Sequence, residues 1–414
     1  MPGTRETHRK DRRMSRRGWS RRAFLQGAVA TGGALLLPRL GRAAGTDRVL
    51  VTLFLRGAAD GLNLCVPAGD ADYYARRPTL AIPEGQLIDL DGFFGLHPGL
   101  AALTPLYTGG RLALLHASGS PSPTRSHFDA QDFMERGVPG DKTVSTGWLN
   151  RYLAAEAGGQ ALAGITLGNA KDVSIVGPAP ALAFPSIDRF RIRGQYPEVV
   201  SAALEQRYAA LPEQAVKRGF AEALSAIDTV ASVEASTTAP YPNSSLGRAL
   251  RDAAALVKAD IGVRIVTVNT GGWDTHSNET PRLSGLTADL AAALAAFDAD
   301  LGSDRDRTAL LAMTEFGRTA DENDGGGTEH GHGGLMLALG GGVAGGRVHL
   351  RDDSWPGLSD DDLYDGRDLQ ITTDYRDVFA EALDVHLGSR DADRLFPDYT
   401  IRPDRTPGLF ATSV

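Results

Sequence analysis

Six side chains in this sequence have the chemistry to hold a divalent metal: Asp60, Asp274, His276, Glu315, His330 and His332. Zinc suits the histidines and is the first choice; magnesium, manganese or calcium would suit a carboxylate-dominated set. Asp274 and His276 stand two residues apart, as do His330 and His332. That spacing fits extended or loop backbone, where alternate side chains share one side. Either pair alone is weak evidence. Two such pairs, each beside an expected strand end, point to one composite metal site. The bland alternative is a polar network in which His276 or His330 satisfies loop carbonyls.

A second group is contiguous. Thr124, Arg125, Ser126 and His127 follow a proline-rich turn and precede a helical pattern. A hydroxyl at a helix start sits near converging amide N–H groups, which favour a phosphate, a sulfate or a developing oxyanion. Thr124 or Ser126 is therefore a candidate part of an anion site, and Arg125 and His127 beside them strengthen that reading. Ordinary N-capping by either hydroxyl is the default. Arg56 and Arg318 are further candidates for binding an anion.

Other chemistries lack their motifs. The glycine run before His330 has no Gly-Lys-Ser/Thr ending, so it is not a phosphate-binding Walker loop. Neither a dinucleotide-binding glycine fingerprint nor a convincing serine-hydrolase elbow is found. Cys65 is the only cysteine, so no internal disulfide can form.

The elements that must position these residues are legible as apolar runs. Residues 49–55, 261–268 and 308–313 read as strands, ending before Asp60, the GGWDTHSN loop and Glu315. Open α/β sheets bind ligands at such carboxyl ends. Short sheet candidates fall at 112–115, 161–167 and 173–176. Helical patterns fill 146–158, 245–260 and 283–301, and a C-terminal helix begins near Asp374. The strand–loop–helix rhythm predicts an α/β fold around a central, mostly parallel sheet. Residues 197–242 read as a helical insertion or lid.

The chain has 414 residues, 42% apolar and 23% charged, enough for a large core. Its formal net charge of -8 argues against a nucleic-acid footprint. Residues 1–44 are basic, then carry Ser20-Arg21-Arg22-Ala23-Phe24-Leu25 and a Gly/Ala-rich apolar stretch. They resemble a twin-arginine export signal, with Met14 as a candidate start and a mature chain, 45–414, forming one domain. The stretch is too short and glycine-rich for a stable membrane span. Export by the twin-arginine machinery to the periplasm or beyond is the expectation.

The segments LFLRGAADGLN, SPSPTRSHFDAQDFME, GGWDTHSN, TEFGRT and EHGHGG, in this order behind such a signal, resemble the DUF1501 family. That family in turn resembles the alkaline phosphatase and sulfatase superfamily. The resemblance implies an alkaline-phosphatase-like α/β/α sandwich with a metal-dependent hydrolase site. It implies metal ligation by Asp60, Asp274, His276 and either His330 or His332, with Thr124 or Ser126 as nucleophile, Arg125 to stabilise charge and His127, His330 or His332 to move a proton. Active relatives carry an Asp-His pair where this chain has Glu315-Phe316, and phenylalanine cannot ligate. The Cys-x-Pro-x-Arg sulfatase motif is absent. The implied function is an exported hydrolase of phosphate or sulfate esters with a divergent site. Its substrate would be an anionic small molecule or a modified polysaccharide. The alternative is a non-catalytic secreted metal- or ligand-binding protein.

Overall fold

Strand β1 (Val49–Leu55) is buried along its whole length, as a central strand covered on both faces must be. Val49, Val51, Leu53 and Leu55 belong to one apolar cluster, Leu50 and Phe54 to another. This is the two-residue alternation of a pleated strand. Each of those side chains contributes about 1.5–3 kcal/mol when fully buried.

The computed structural model describes residues 48–192 and 195–411. The expected twin-arginine segment, 1–44, lies outside the described residues. After β1 come β2 (Leu112–Gly119), α1 (His127–Arg136), α2 (Trp148–Glu156), β3 (Gly164–Leu167) and β4 (Leu182–Phe184). The helix pair α3 (Pro197–Ala209) and α4 (Gln214–Ala231) follows, then α5 (Ser245–Lys258), β5 (Ile265–Thr270), α6 (Glu279–Leu301) and β6 (Thr308–Met313). A hairpin of β7 (Arg318–Glu322) and β8 (Thr328–His330) leads into β9 (Gly334–Gly340). Strands β10 (Val348–His349) and β11 (Thr373–Asp374) and helix α7 (Tyr375–Glu381) complete the main elements.

The main sheet runs β10-β2-β9-β6-β1-β5-β3-β4, with β11 beside β2. Strand β1 is parallel to β5 and β6, with Leu55 opposite Thr270 and Phe54 opposite Met313. Strand β9 alone runs antiparallel to its neighbours β2 and β6. The sheet is thus mixed but mostly parallel, as the rhythm of the sequence predicts. Helices α5 and α6 cover one face through Leu250, Leu256, Leu290 and Leu294. Helices α2 and α7 cover the other through Trp148, Leu149, Val378 and Phe379.

This topology gathers the loops of interest. The chain leaves β1, β5 and β6 at one edge of the sheet, towards Asp60, Asp274 and Glu315. The antiparallel β9 enters at that same edge, with Gly334 opposite Ser118 near the end of β2. Its reversed direction delivers His330 and His332 to the loops that follow the parallel strands.

Two sequence expectations are corrected. Residues 173–176 form a single tight turn at Val173–Ile175, not a strand. The Asn150 amide of α2 donates to the Ile175 carbonyl at 2.9 Å, so the backbone bonds to a side chain instead of a ladder. The strand expected at 161–167 begins only at Gly164, after a turn. Within 197–242, α3 has no buried residue and leaves Val199 and Val200 exposed. Tyr208 of α3 stacks on Phe220 of α4 with centroids 3.7 Å apart. No described helix is long and apolar enough to cross a membrane.

Candidate metal centre

Helix α1 begins at His127, immediately after the exposed Ser126. The His127 Nδ1 lies 2.7 Å from Oε1 of Glu315, which is fully buried beyond the end of β6. A carboxylate can only accept there, so Nδ1 carries the proton and Nε2 presents a lone pair. Among the described residues this buried Nε2 has no hydrogen-bond partner. It lies 3.5 Å from Oδ2 of Asp274.

Two more imidazoles repeat the arrangement. His330 Nδ1 donates to the Arg125 carbonyl at 2.8 Å, and its Nε2 stands 3.4 Å from Asp274 Oδ1. His276 Nδ1 lies 3.0 Å from Glu329 Oε2, and its Nε2 is 3.1 Å from Asp274 Oδ1. The Nε2 atoms of His276 and His330 are 2.9 Å apart. Three imidazoles therefore hold Nδ1–H on outside acceptors and turn Nε2 on one carboxylate. His127, Asp274 and His330 by themselves place ligand atoms within 4.8 Å of one another. Electron pairs so close need a proton or a cation between them.

The surroundings fix this geometry. Phe316 stacks on His127 and packs against His330, with ring centroids 5.1 Å from each. The residue that cannot ligate thus supports two residues that can. Glu315 also accepts from Gln131 Nε2 at 2.7 Å and the Gly57 amide at 2.9 Å. Burial pushes the Glu315 carboxyl up, but its hydrogen bonds to His127 and Gln131 leave it below the usual range. In return Glu315 holds the His127 imidazolium above its ordinary value. Burial raises Asp274 as well, but the Arg318 hydrogen bond at 2.7 Å, together with the charges of Arg318, His276 and His127, leaves it below the usual range. His330 is shifted down by burial, which favours its neutral, ligating form.

The sequence candidates therefore divide. Asp274, His276 and His330 come together, and His127, expected as a proton carrier, joins them. Glu315, expected as a ligand, instead orients His127. Asp60 is elsewhere: it is buried against Arg77, whose Nη2 lies 3.1 Å from Oδ1. A guanidinium already neutralises that carboxylate. His332 also turns away, stacking on Tyr364 with centroids 4.3 Å apart; burial lowers it to about 4. The reason lies in Gly331 and Gly333. A Cβ on either would strike backbone, of Arg318 at 2.3 Å and of Leu369 at 2.7 Å. The chain threads between neighbours there and does not keep the simple alternation of a strand.

The hydroxyl candidates lack an activating partner. Thr124 Oγ1 accepts from the Ser126 amide at 3.3 Å, and Ser126 occupies the N-cap position without a side-chain cap bond. Among the described residues neither hydroxyl bonds to a histidine or carboxylate side chain. Arg125 pairs with the buried Asp368, its Nε 3.1 Å from Oδ2. Arg318 is no anion receptor. It is buried and donates to the carbonyls of Ala58, Trp273 and Thr328 as well as to Asp274. Arg56 is likewise engaged, with Glu135 at 3.1 Å. Gln131 and Glu329 were missed by reading the sequence. Gln131 could have been found, since it lies one helical turn beyond His127.

Residues 111–397 match the family described as "Protein of unknown function (DUF1501)". No curated protein matches the chain. One solved structure, of a magnesium-bound mutant of TAB5 alkaline phosphatase, aligns over 74% of this chain and 94% of its own. Its TM-score is 0.33 and its identity 8%, a weak likeness that carries no argument about the site. The family match spans well over half of the sequence, from β2 through α7, and takes in all four converging side chains and Glu315: this chain belongs to the DUF1501 family.

Proposed function

We propose that this protein is a metal-dependent hydrolase of phosphate or sulfate esters, with zinc held by His127, Asp274, His276 and His330. The observation that supports it is the convergence of three Nε2 lone pairs on Asp274, each imidazole fixed through Nδ1. Three nitrogens and one carboxylate oxygen form a donor set suited to zinc, and outer acceptors on Nδ1 are the usual companions of metal-binding histidines. A zinc ion there would supply a Lewis acid and a bound water of lowered pKa. Asp274 and His276 are part-exposed, with side chains 45% and 37% accessible, so the group is open to a substrate. Glu315 holds the His127 ring in place and keeps its Nε2 aimed at the group. With no base beside Thr124 or Ser126, water is the better nucleophile. The Arg125 carbonyl anchors His330, while its guanidinium is paired with Asp368.

The second reading is a metal-binding protein without hydrolysis. The absence of an activating partner beside either hydroxyl, among the described residues, favours it. Metal content of the purified protein, followed by a phosphate- and sulfate-ester panel, separates the two. We expect about one zinc per chain, lost in Asp274→Ala. Metal that persists in that variant would sink both readings; metal without turnover leaves only the second.

We further infer that residues 1–44 direct twin-arginine export to the periplasm or beyond, that 45–414 form one alkaline-phosphatase-like domain and that 197–242 are a helical insertion. Replacing Arg21 and Arg22 by lysine should retain the protein in the cytoplasm. Undiminished export of that variant would reject the signal.

A further inference from the structure

A second cluster of ionisable groups lies beneath the metal-binding loops and is not used by the reading above. Glu279, the first residue of α6, is fully buried. Its Oε2 accepts from Thr275 Oγ1 at 3.0 Å and from Thr328 Oγ1 at 2.8 Å. Its Oε1 accepts from Asn63 Nδ2 at 3.2 Å. It also shares a hydrogen bond with the buried carboxyl of Asp60. Thr275 lies between Asp274 and His276, and Thr328 lies two residues before His330. One carboxyl group therefore ties together the loop after β1, the loop after β5 and the β7–β8 hairpin.

Backbone bonds run the same way. The Glu279 amide donates to the Gly326 carbonyl at 2.9 Å, and the Thr328 amide to the Thr275 carbonyl at 3.2 Å. Gly327 permits this approach, since a Cβ there would lie 2.3 Å from the Thr275 carbonyl oxygen. The charged groups facing the cluster are few. Arg77, fully buried, pairs with Asp60 and donates to the carbonyls of Thr319 and Ala320. Tyr73 donates to Asn63 Oδ1 at 2.8 Å and is raised by burial, so it stays neutral. His97 is lowered by burial to about 4 and is neutral too. Arg318 adds positive potential at Asp60. Two carboxyls thus share one directly paired guanidinium, and only one of them can be charged without leaving a net buried negative charge.

We propose that Glu279 is a positioning residue for the metal centre: it is held as a neutral acid that donates its proton to Asp60, and its ionisation breaks that bond and parts Glu279 from Asp60, carrying the Thr275 and Thr328 segments with it, so that metal affinity falls at alkaline pH. This rests on the metal centre proposed above. Burial and the Asp60 charge push Glu279 up to about 8, while Asp60 stays below its usual range beside Arg77. Losing the proton sets two carboxylates against each other where water cannot screen them. Separation of the loops relieves that repulsion, and those loops carry Asp274, His276 and His330. Linkage makes the effect reciprocal: bound metal holds the proton on Glu279.

The test is zinc affinity of the full chain, in chelator-buffered zinc, across the range on either side of about 8. We expect the wild-type affinity to fall about tenfold from the neutral to the alkaline end, a normal size for coupling between two sites. In Glu279→Gln, a neutral isostere, the ratio between the two ends should be near unity. An equal fall in both proteins would overturn the proposal while leaving the metal centre standing. Failure of the wild type to bind zinc at any pH would remove the metal centre and this inference with it; a Glu279→Gln protein that folds but binds no zinc at neutral pH would overturn the inference alone. If Glu279→Gln does not fold, Thr328→Val removes one anchor and leaves the charges in place. It should bind more weakly at neutral pH and lose less at alkaline pH; a full wild-type fall would refute the coupling.

Discussion

Asp60 and Asp274 both follow a strand of the same sheet and both were candidates for one ion, yet they solve opposite electrostatic problems. Asp60 is buried, and the chain supplies its counter-charge in Arg77. Asp274 is half-exposed and draws three imidazoles, whose lone pairs face it, besides the Arg318 hydrogen bond. One cluster is closed by a residue of the chain. The other is a cluster capable of coordinating a divalent cation. A buried carboxylate at a strand end is therefore insufficient evidence of a metal site; the decisive feature is whether a guanidinium already reaches it.

The contrast can be broken most forcefully at Arg77. Arg77→Met leaves Asp60 buried without its counter-ion, and we expect a loss of about 3–5 kcal/mol in urea denaturation. A loss under about 1 kcal/mol would mean that the Asp60 pair is not the closed unit described. The next effect is external. Zinc at about a hundredfold excess over Kd should stabilise the wild type by about 2.7 kcal/mol, read as a shift of the urea midpoint. Asp274→Ala should abolish that shift, and it should lower the metal-free stability by about 1–3 kcal/mol, because the buried Arg318 loses its carboxylate partner. A shift that survives would relocate the site.

Glu315→Gln sharpens the same boundary from outside the ligand set. Weakening the acceptor on His127 Nδ1 should lower zinc affinity about 10–100-fold at neutral pH. The pH profile gives a second reading with a definite sign. Protons compete with metal for His127 Nε2, and the Glu315 hydrogen bond holds the imidazolium above its ordinary pKa. Removing that charge should shift the acid limb of metal binding to lower pH, even as the plateau affinity drops. An acid limb unmoved in competition titrations would place His127 outside the centre. The smallest expected effect is at Thr124 and Ser126. Alanine at either should change ester turnover by less than about threefold if water is the nucleophile; loss of turnover would restore a hydroxyl to that role.

Much of the scaffold was legible before any coordinates. The apolar runs at β1, β5 and β6 are continuous because those strands are buried on both faces, and a continuous run survives uncertainty about its neighbours. Asp274 with His276 was legible because it sits just beyond such a run, and His330 because it stands in a histidine pair that follows a glycine-rich stretch. Glu315 was legible as important but not in its role, since orienting a ligand and being one call for the same carboxylate. The turn at 173–176 was misread because three apolar residues around Ser174 carry no signal of the Asn150 side chain that claims their backbone.

By itself, the sequence determined the α/β class, the order of the elements and which loops would carry acids and histidines, because these follow from local apolar periodicity and chain order. The tertiary structure alone decided which acids keep company. It put Arg77 on Asp60, removed His332 behind Gly331 and Gly333, and brought His127 from α1 to Asp274 across the sheet edge. The His127 pairing depends on contacts between residues more than a hundred positions apart, and the place of His330 on the antiparallel arrival of β9; even Arg77, 17 positions from Asp60, gives no sign in its spacing that it closes that carboxylate.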